Sequence, residues 1–170
     1  MVKKHLIGLF LNTGTKEAPV WTRIKKSTEL TISMNPETEE FDYIADESPT
    51  TELMKYKPSI DQDLTMYENE PDFEMIWEYF YNMKVGNDAR TECMVAFMMR
   101  PVEGGGYEAW KTDCVLSVTD LNAVDSKINF QIAFGGTVAK GTATKTDTTI
   151  TFTENGTATA RSTTKSAENE

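Results

Sequence analysis

The chain is short of the residues that usually do chemistry. Its 170 residues include one histidine, His5, and two cysteines, Cys93 and Cys114. Any Ser/His/Asp or Cys/His arrangement would have to use His5, which lies beside Lys3 and Lys4 where solvation is the ordinary outcome. The cysteines have neither CxxC spacing nor histidine neighbours, so we expect buried free thiols rather than a metal or redox site. Long hydrophobic runs are also missing. Leu6 to Leu11 contains a glycine and is too short to span a bilayer or form an ordinary signal-peptide core. We therefore expect no membrane segment and no secretion route, and a reducing compartment where a structural disulfide would be unusual.

Positive charge is scarce. Lysine and arginine number 17 against 27 aspartates and glutamates, a net charge of −10. Tight nucleic-acid binding needs a basic face that releases counterions, and this balance argues against one. It does not argue against a protein that lets DNA pass without holding it. The acidity is concentrated: from Glu37 to Glu78 there are fourteen carboxylates against Lys55 and Lys57, a local balance of −12 that leaves +2 for all other segments. Arg23, Lys25 and Lys26 lie just upstream.

What the chain does have is the material for a core. Apolar residues make up 39% and aromatic side chains number seventeen, a composition far from that of a disordered chain. A chain of this length is most simply one domain, here residues 1–161, burying about 70% of the surface exposed when unfolded. The polar end, 162–170, lacks aromatics and is expected to be mobile.

The dominant periodicity is two, so the fold class is mainly β. Lys127 to Phe134 alternates Ile128, Phe130, Ile132 and Phe134 with a less apolar set, the pattern of a strand with one buried face. Thr91 to Arg100 is apolar on both parities and should be covered on both sides. Gly104 to Gly106 then turn the chain into Tyr107 to Leu121, where Trp110, Cys114, Leu116 and Val118 share a face; together these make a hairpin. Trp21 to Ser33 and Ile60 to Tyr67 read as half-exposed strands, the second with Asp61 and Asp63 on its outer face. Ile150 and Phe152 mark a strand from Thr149 to Thr153, and Asn155-Gly156 predicts a turn into a partner at Thr157 to Arg161.

One segment has a different period. Between Pro71 and Lys84, Phe73, Ile76, Trp77 and Phe80 recur at helical spacing, with Pro71, Asp72 and Glu74 suited to the N-terminus and Lys84 and Gly86 to the other end. The spacing predicts a helix over 71–84 with Trp77 and Phe80 in the core. Between Ser33 and Ile60 there are three prolines and no sustained period. Phe41, Tyr43, Ile44, Leu53, Met54 and Tyr56 make wholly solvated disorder a poor account of it, so we read 34–58 as an extended arm that packs on a neighbouring subunit.

The remaining motifs point away from catalysis. Asp61 to Asp72 begins like a calcium loop but has Met66 where the turn needs glycine and Asp72 where a bidentate glutamate is usual. Lys140-Gly141-Thr142 lacks the spacing of a phosphate loop. Asn155-Gly156-Thr157 fits the glycosylation sequon, but without export it is simply a turn. Paired acids such as Asp61 with Asp63 or Glu39 with Glu40 fit a solvated face by default. We expect no catalytic residue, cofactor or metal.

In order along the chain come a strand, a long arm, an acidic strand, one amphipathic helix, a hairpin, an alternating strand ending in Gly-Gly and a threonine-rich close. With the segments WTRIKKSTELTIS (21–33), EPDFEMIWEYF (70–80) and FGGTVAKGTAT (134–144), this order resembles the tail tube, or major tail, proteins of long-tailed bacteriophages and related phage-like particles. The resemblance covers roughly Trp21 to Thr144. It implies an antiparallel β-sandwich or partial barrel flanked by one helix, with six copies in a ring and rings stacked into a tube whose lumen conducts DNA. It further implies assembly with other tail proteins, synthesis in a host bacterial cytoplasm and a final place in the virion tail. The arm 34–58 would reach an adjacent subunit or ring, Arg23, Lys25 and Lys26 would be its basic partners, and Asp61 and Asp63 would be acids of the lumen or rim. Two other readings compete: a β module with a ligand pocket lined by Phe97, Met99, Phe130 and Phe134, and a glycosidase-like use of paired carboxylates.

Overall fold

The computed structural model describes residues 1–45 and 47–155. The first strands are β1 (Ile7–Asn12), β2 (Trp21–Arg23), β3 (Thr31–Ser33), β4 (Pro36–Phe41), β5 (Thr50–Tyr56) and β6 (Ser59–Thr65). The helix α1 (Pro71–Tyr81) follows, then β7 (Arg90–Pro101), β8 (Tyr107–Asn122), β9 (Lys127–Phe134), β10 (Ala139–Thr146) and β11 (Thr149–Glu154). Among the described residues the fold is mainly β, with antiparallel strand pairs and one α-helix, and its arrangement is sandwich-like.

Strands β1, β7 and β8 are consecutive interior strands of the sheet order β2-β1-β7-β8-β9-β6-β3. Cys93, Met94, Val95 and Ala96 of β7 are all buried, as the two-sided apolar pattern predicts. Side chains on one face of this layer join the main core, which includes Leu9, Leu11, Val95, Leu116, Phe130 and Ile132. Those on the other face form a second, thinner cluster of Phe10, Met94, Ala96, Ala109 and Ala143. Gly104, Gly105 and Gly106 all have φ between +92° and +103°, which makes the β7–β8 turn a glycine turn.

The second cluster is covered by β10 and β11. The first half of β8 pairs with β10 and its second half with β9, with Gly135-Gly136 in the bend between them. At Gly141 a Cβ would sit 2.2 Å from the Thr153 carbonyl oxygen and 2.6 Å from the Phe152 ring, so only glycine lets β11 lie this close. The partner of β11 is thus β10. The expected hairpin partner at 157–161 and the end 162–170 lie outside the described residues.

Several sequence expectations are corrected. Trp21 to Ser33 is not one strand but two, and these sit at opposite ends of the sheet order, β2 on β1 and β3 on β6. The linking segment bridges those ends: the Ile24 N–H donates to Leu9 O at 2.9 Å and the Thr65 N–H to Lys26 O at 3.0 Å. It thereby helps close the sandwich over the main core, with Ile24 buried beneath it. The apolar run near the start, too short for a membrane span, is the interior strand β1. The stretch 34–58 is not irregular: it folds as the hairpin β4–β5, a separate two-stranded sheet.

The helix ends at Tyr81, and only Phe73 and Ile76 of the stripe that the spacing selects turn inward. Asp72 and Ile76 are buried, while Phe73, Met75 and Tyr79 pack against the main core. Trp77 and Phe80 are each 37% exposed and face outward. The expected apolar stripe is rotated, because the helix must present Asp72 to the segment it anchors. The Lys25 N–H donates to Asp72 Oδ2 at 2.9 Å.

Candidate assembly surfaces

The hairpin β4–β5 is the largest departure from a self-satisfied fold. Among the described residues neither strand pairs with the body, and every residue of β5 is exposed. Asn35, at φ +43°, sets the base, where its Nδ2 donates to Lys57 O at 3.0 Å and to Ser59 Oγ at 3.1 Å. A bulge at Glu37/Thr38 shifts the register, so that Pro36 faces Tyr56 and Thr38 faces Leu53 on one side of the ribbon. The other side sets Glu37 opposite Lys55, Glu39 opposite Glu52 and Phe41 opposite Thr50. One face is therefore apolar at its base and the other acidic. Glu37 pairs with Lys55 and Lys57, whose ammonium groups hold its carboxyl below the usual range, Lys57 contributing most. Glu39 and Glu52 have no such relief.

The arm residues named from the sequence fall together on this hairpin. Tyr43, Ile44, Leu53, Met54 and Tyr56 are at least half exposed, and Phe41 stacks on Tyr43 with ring centroids 5.8 Å apart. An isolated ribbon with apolar groups in water is marginal by itself.

The basic residues lie at the end of β2 and on the bridging segment that follows it. Lys25 and Lys26 are exposed, and Arg23 is half-buried, donating to His5 O at 3.1 Å above the Phe10 ring. Among the described residues none of the three makes an ion pair, whereas Lys16, Lys55, Lys57, Lys84, Lys111 and Lys127 all do. Arg23 and Lys25 stand between two clefts. One, of about 500 Å³, runs past Lys4, His5 and Leu30; the other, of about 630 Å³, runs past Phe10, Trp21, Met98 and Ile150.

The two acids named together separate. Asp61 is exposed and accepts a bond from Gln131 Nε2 at 2.7 Å. Asp63, placed by the alternation on a solvated face, is instead buried. Its Oδ1 accepts from Ser27 Oγ at 3.1 Å, the Thr28 N–H at 2.9 Å and the Glu29 N–H at 2.8 Å. Its Oδ2 takes the Thr28 hydroxyl and the Lys127 ammonium. Burial pushes this carboxyl up, but Lys127 and the Thr28 and Glu29 donors outweigh it and hold it well below the carboxylate range. The carboxylate fastens the bridging segment to β6 and β9. Strand alternation could not show this, because its partners lie 34 to 64 residues away.

A second buried acid does the same on the other side. Glu92 accepts from Asn12 Nδ2 at 2.9 Å and pairs with Lys111 at 3.1 Å, while Asn12 Oδ1 holds the Gly14 and Val20 N–H groups. These acids are framework rather than chemistry. The exposed aromatics of α1 form a third surface: Trp77 lies 5.4 Å from Phe80 and 6.1 Å from Tyr81. Cys93 and Cys114 are buried free thiols, and the neighbouring Cys93, with burial, pushes the Cys114 thiol far above its ordinary value.

The four residues named for a ligand pocket do not share one. Phe97 and Met99 border a shallow cleft with Trp110 and Lys140, while Phe130 is buried in the main core and Phe134 packs against that core. Among the described residues no group of three or more potential metal ligands occurs, and no helix is long and apolar enough to cross a membrane.

No family model matches the chain, and no curated protein matches it in sequence. Its fold does match solved structures. A chain in the tail of an empty gene transfer agent particle with C6 symmetry has a TM-score of 0.56 at 13% identity, over 82% of this chain and 98% of that one. A chain in the virion of a native gene transfer agent particle gives 0.56 at 14% identity, with the same coverage. The likeness is one of fold, and it agrees with the tail-tube resemblance of the sequence segments.

Proposed function

We propose that this chain is a structural subunit of a tail tube, assembling into hexameric rings that stack around a lumen through which DNA passes. One observation carries the proposal: a chain with the fold of a C6 tail component extends a hairpin that neither pairs with its own body nor buries its own apolar residues. Heterologous contacts of this kind close into rings or continue as filaments. Pairing sheets across subunits would also remove the open edges that an isolated sheet presents.

In this reading the chain does no catalysis and works by shape and charge. The acidic hairpin of one copy meets the basic segment Arg23, Lys25 and Lys26 of another, and opposite charges set register and encounter rate more than raw affinity. Exposed acids such as Asp61 face the lumen or its rim, where they repel phosphate and leave passing DNA few places to adhere. Asp63 has no part in this, because its oxygens are committed inside the fold. Other tail proteins would join the assembly, and the assembled location is the virion tail.

Negative-stain microscopy of the purified protein tests the proposal. Rings or tubes with six-fold symmetry are expected, and a strictly monomeric, monodisperse sample at high concentration overturns it. Asp61→Lys tests the lumen assignment: DNA delivery should fall while tubes still form, and unchanged delivery would make Asp61 a plain solubility residue.

A further inference from the structure

We propose that Asn155 is a self-modification site, whose amide converts to a carboxylate by deamidation through Gly156, and that Lys140 and Arg100 receive the new charge. Of the nine asparagines in the chain, Asn155 is the only one followed by glycine. Glycine has no side chain to shield its nitrogen or restrict its backbone, which is what ring closure at an Asn-Gly pair needs. In the reaction the Gly156 nitrogen attacks Asn155 Cγ. A Cγ–N bond replaces the Cγ–Nδ2 bond, and ammonia leaves with the proton of the Gly156 amide. Water then opens the five-membered imide at either carbonyl, giving aspartate or isoaspartate, each with a negative charge where the amide had none.

The fold leaves this amide free to react. Asn155 lies one residue past β11 and is exposed, and among the described residues its side chain has one long hydrogen bond, from the Thr142 hydroxyl to Oδ1 at 3.5 Å. Asn12 is the opposite case. Its Oδ1 accepts from the Gly14 and Val20 N–H groups, and its Nδ2 donates to Thr15 O and Glu92 Oε2.

The surroundings of Asn155 suit the product better than the amide. Gly141 faces Glu154 in the β10–β11 register and the Asn155 N–H donates to Lys140 O at 3.0 Å, so Lys140 stands opposite Asn155. Both line the shallow cleft that also holds Arg100, Glu108 and Trp110. Among the described residues neither Lys140 nor Arg100 makes an ion pair, so two cations share that cleft with one carboxylate, Glu108. Glu154 lines a different cleft, with Glu92 and Lys111. A carboxylate at position 155 evens the balance, and opposite charges facing each other across a ladder stabilise it.

Peptide mapping by mass spectrometry tests the site. When the full chain is held at pH 8.5, Asn155 should gain the mass of an amide-to-acid conversion, and faster than at pH 6, because the attacking nitrogen must lose its proton. Asn12 should stay unchanged, and Gly156→Ala should slow conversion at Asn155 severalfold. An Asn155 that remains an amide, or one that converts as fast in Gly156→Ala, overturns the site. Chemical denaturation of Asn155→Asp tests the reception of the charge. At low salt this variant should raise the folded-to-unfolded ratio by up to about fivefold over the parent. The gain should vanish at high salt, and also when Asn155→Asp is added to a chain carrying Lys140→Gln with Arg100→Gln. No gain at low salt, or a gain that survives the loss of both cations, overturns that part of the proposal.

Discussion

The layer β1-β7-β8 and the hairpin β4–β5 are both antiparallel β-structure, and their chemistry is opposite. In the first, Leu9, Leu11, Met94, Val95 and Leu116 are at most 2% exposed, and both faces are packed. In the second, Leu53, Met54 and Tyr56 are each 50–53% exposed, and two glutamates face each other across the ladder. Burying an aliphatic side chain contributes about 1.5–3 kcal/mol, so the layer holds this fold together and the hairpin contributes little to it. What the hairpin gives up within one copy is available between copies. A protein whose work is assembly needs both: a body rigid enough to repeat, and a surface left unsatisfied until it does.

Substitutions can widen or collapse that contrast. Ile132→Ala empties a fully buried site in the main core and should lower stability by about 2–5 kcal/mol in chemical denaturation, with assembly lost through unfolding. Gly141→Ala forces a Cβ into the backbone of β11 and should cost about 1–3 kcal/mol. Near-ultraviolet circular dichroism should report loosening around Trp21 and Phe152 of the second cluster.

Asp63→Asn tests the fastening of the bridging segment, at about 1–3 kcal/mol near neutral pH. Its carboxyl ionises well below its unfolded value of about 3.9, so its contribution is complete above roughly pH 5 and is lost as pH falls toward the folded value. The variant should therefore show a shallower loss of stability between pH 5 and pH 2, and an unchanged slope there would remove Asp63 from this role. Smallest in stability is Leu53→Ser with Met54→Ser, within about 0.5 kcal/mol of the parent for one copy, as for exposed surface changes generally. Assembly measured by light scattering should nonetheless fall sharply. A large drop in single-copy stability would mean the hairpin belongs to the body after all.

How far the sequence could be read follows from the same contrast. Strands with one buried face announced themselves: Ile128, Phe130 and Ile132 alternate as the structure buries them, and the Gly104–Gly106 turn joins β7 to β8 as expected. The sequence shows an extended arm over 34–58 but not its two strands, because Pro36 to Phe41 has no apolar alternation. A ribbon solvated on both faces has no reason to carry one. Strand β1 is hidden in the sequence for the converse reason: buried on both faces, its residues show only a short apolar run without alternation. Trp77 and Phe80 fit a helical stripe, but helical spacing leaves open which stripe the body selects.

By itself the sequence determined what depends on neighbours a few residues apart: the mainly β class, the single helix, the glycine turn, and the segregation of acid into 37–78 with base just before it. Only the tertiary structure decided what depends on residues far apart in the chain. It sent β2 and β3 to opposite ends of one sheet and buried Asp63 under Lys127 and the Thr28 backbone. It also turned Trp77 outward and left the acidic hairpin as a ribbon apart from the main sheet. The physical reason is range: turns and periodic faces are fixed by local backbone geometry, whereas burial and charge pairing are settled by which distant strands come to lie side by side.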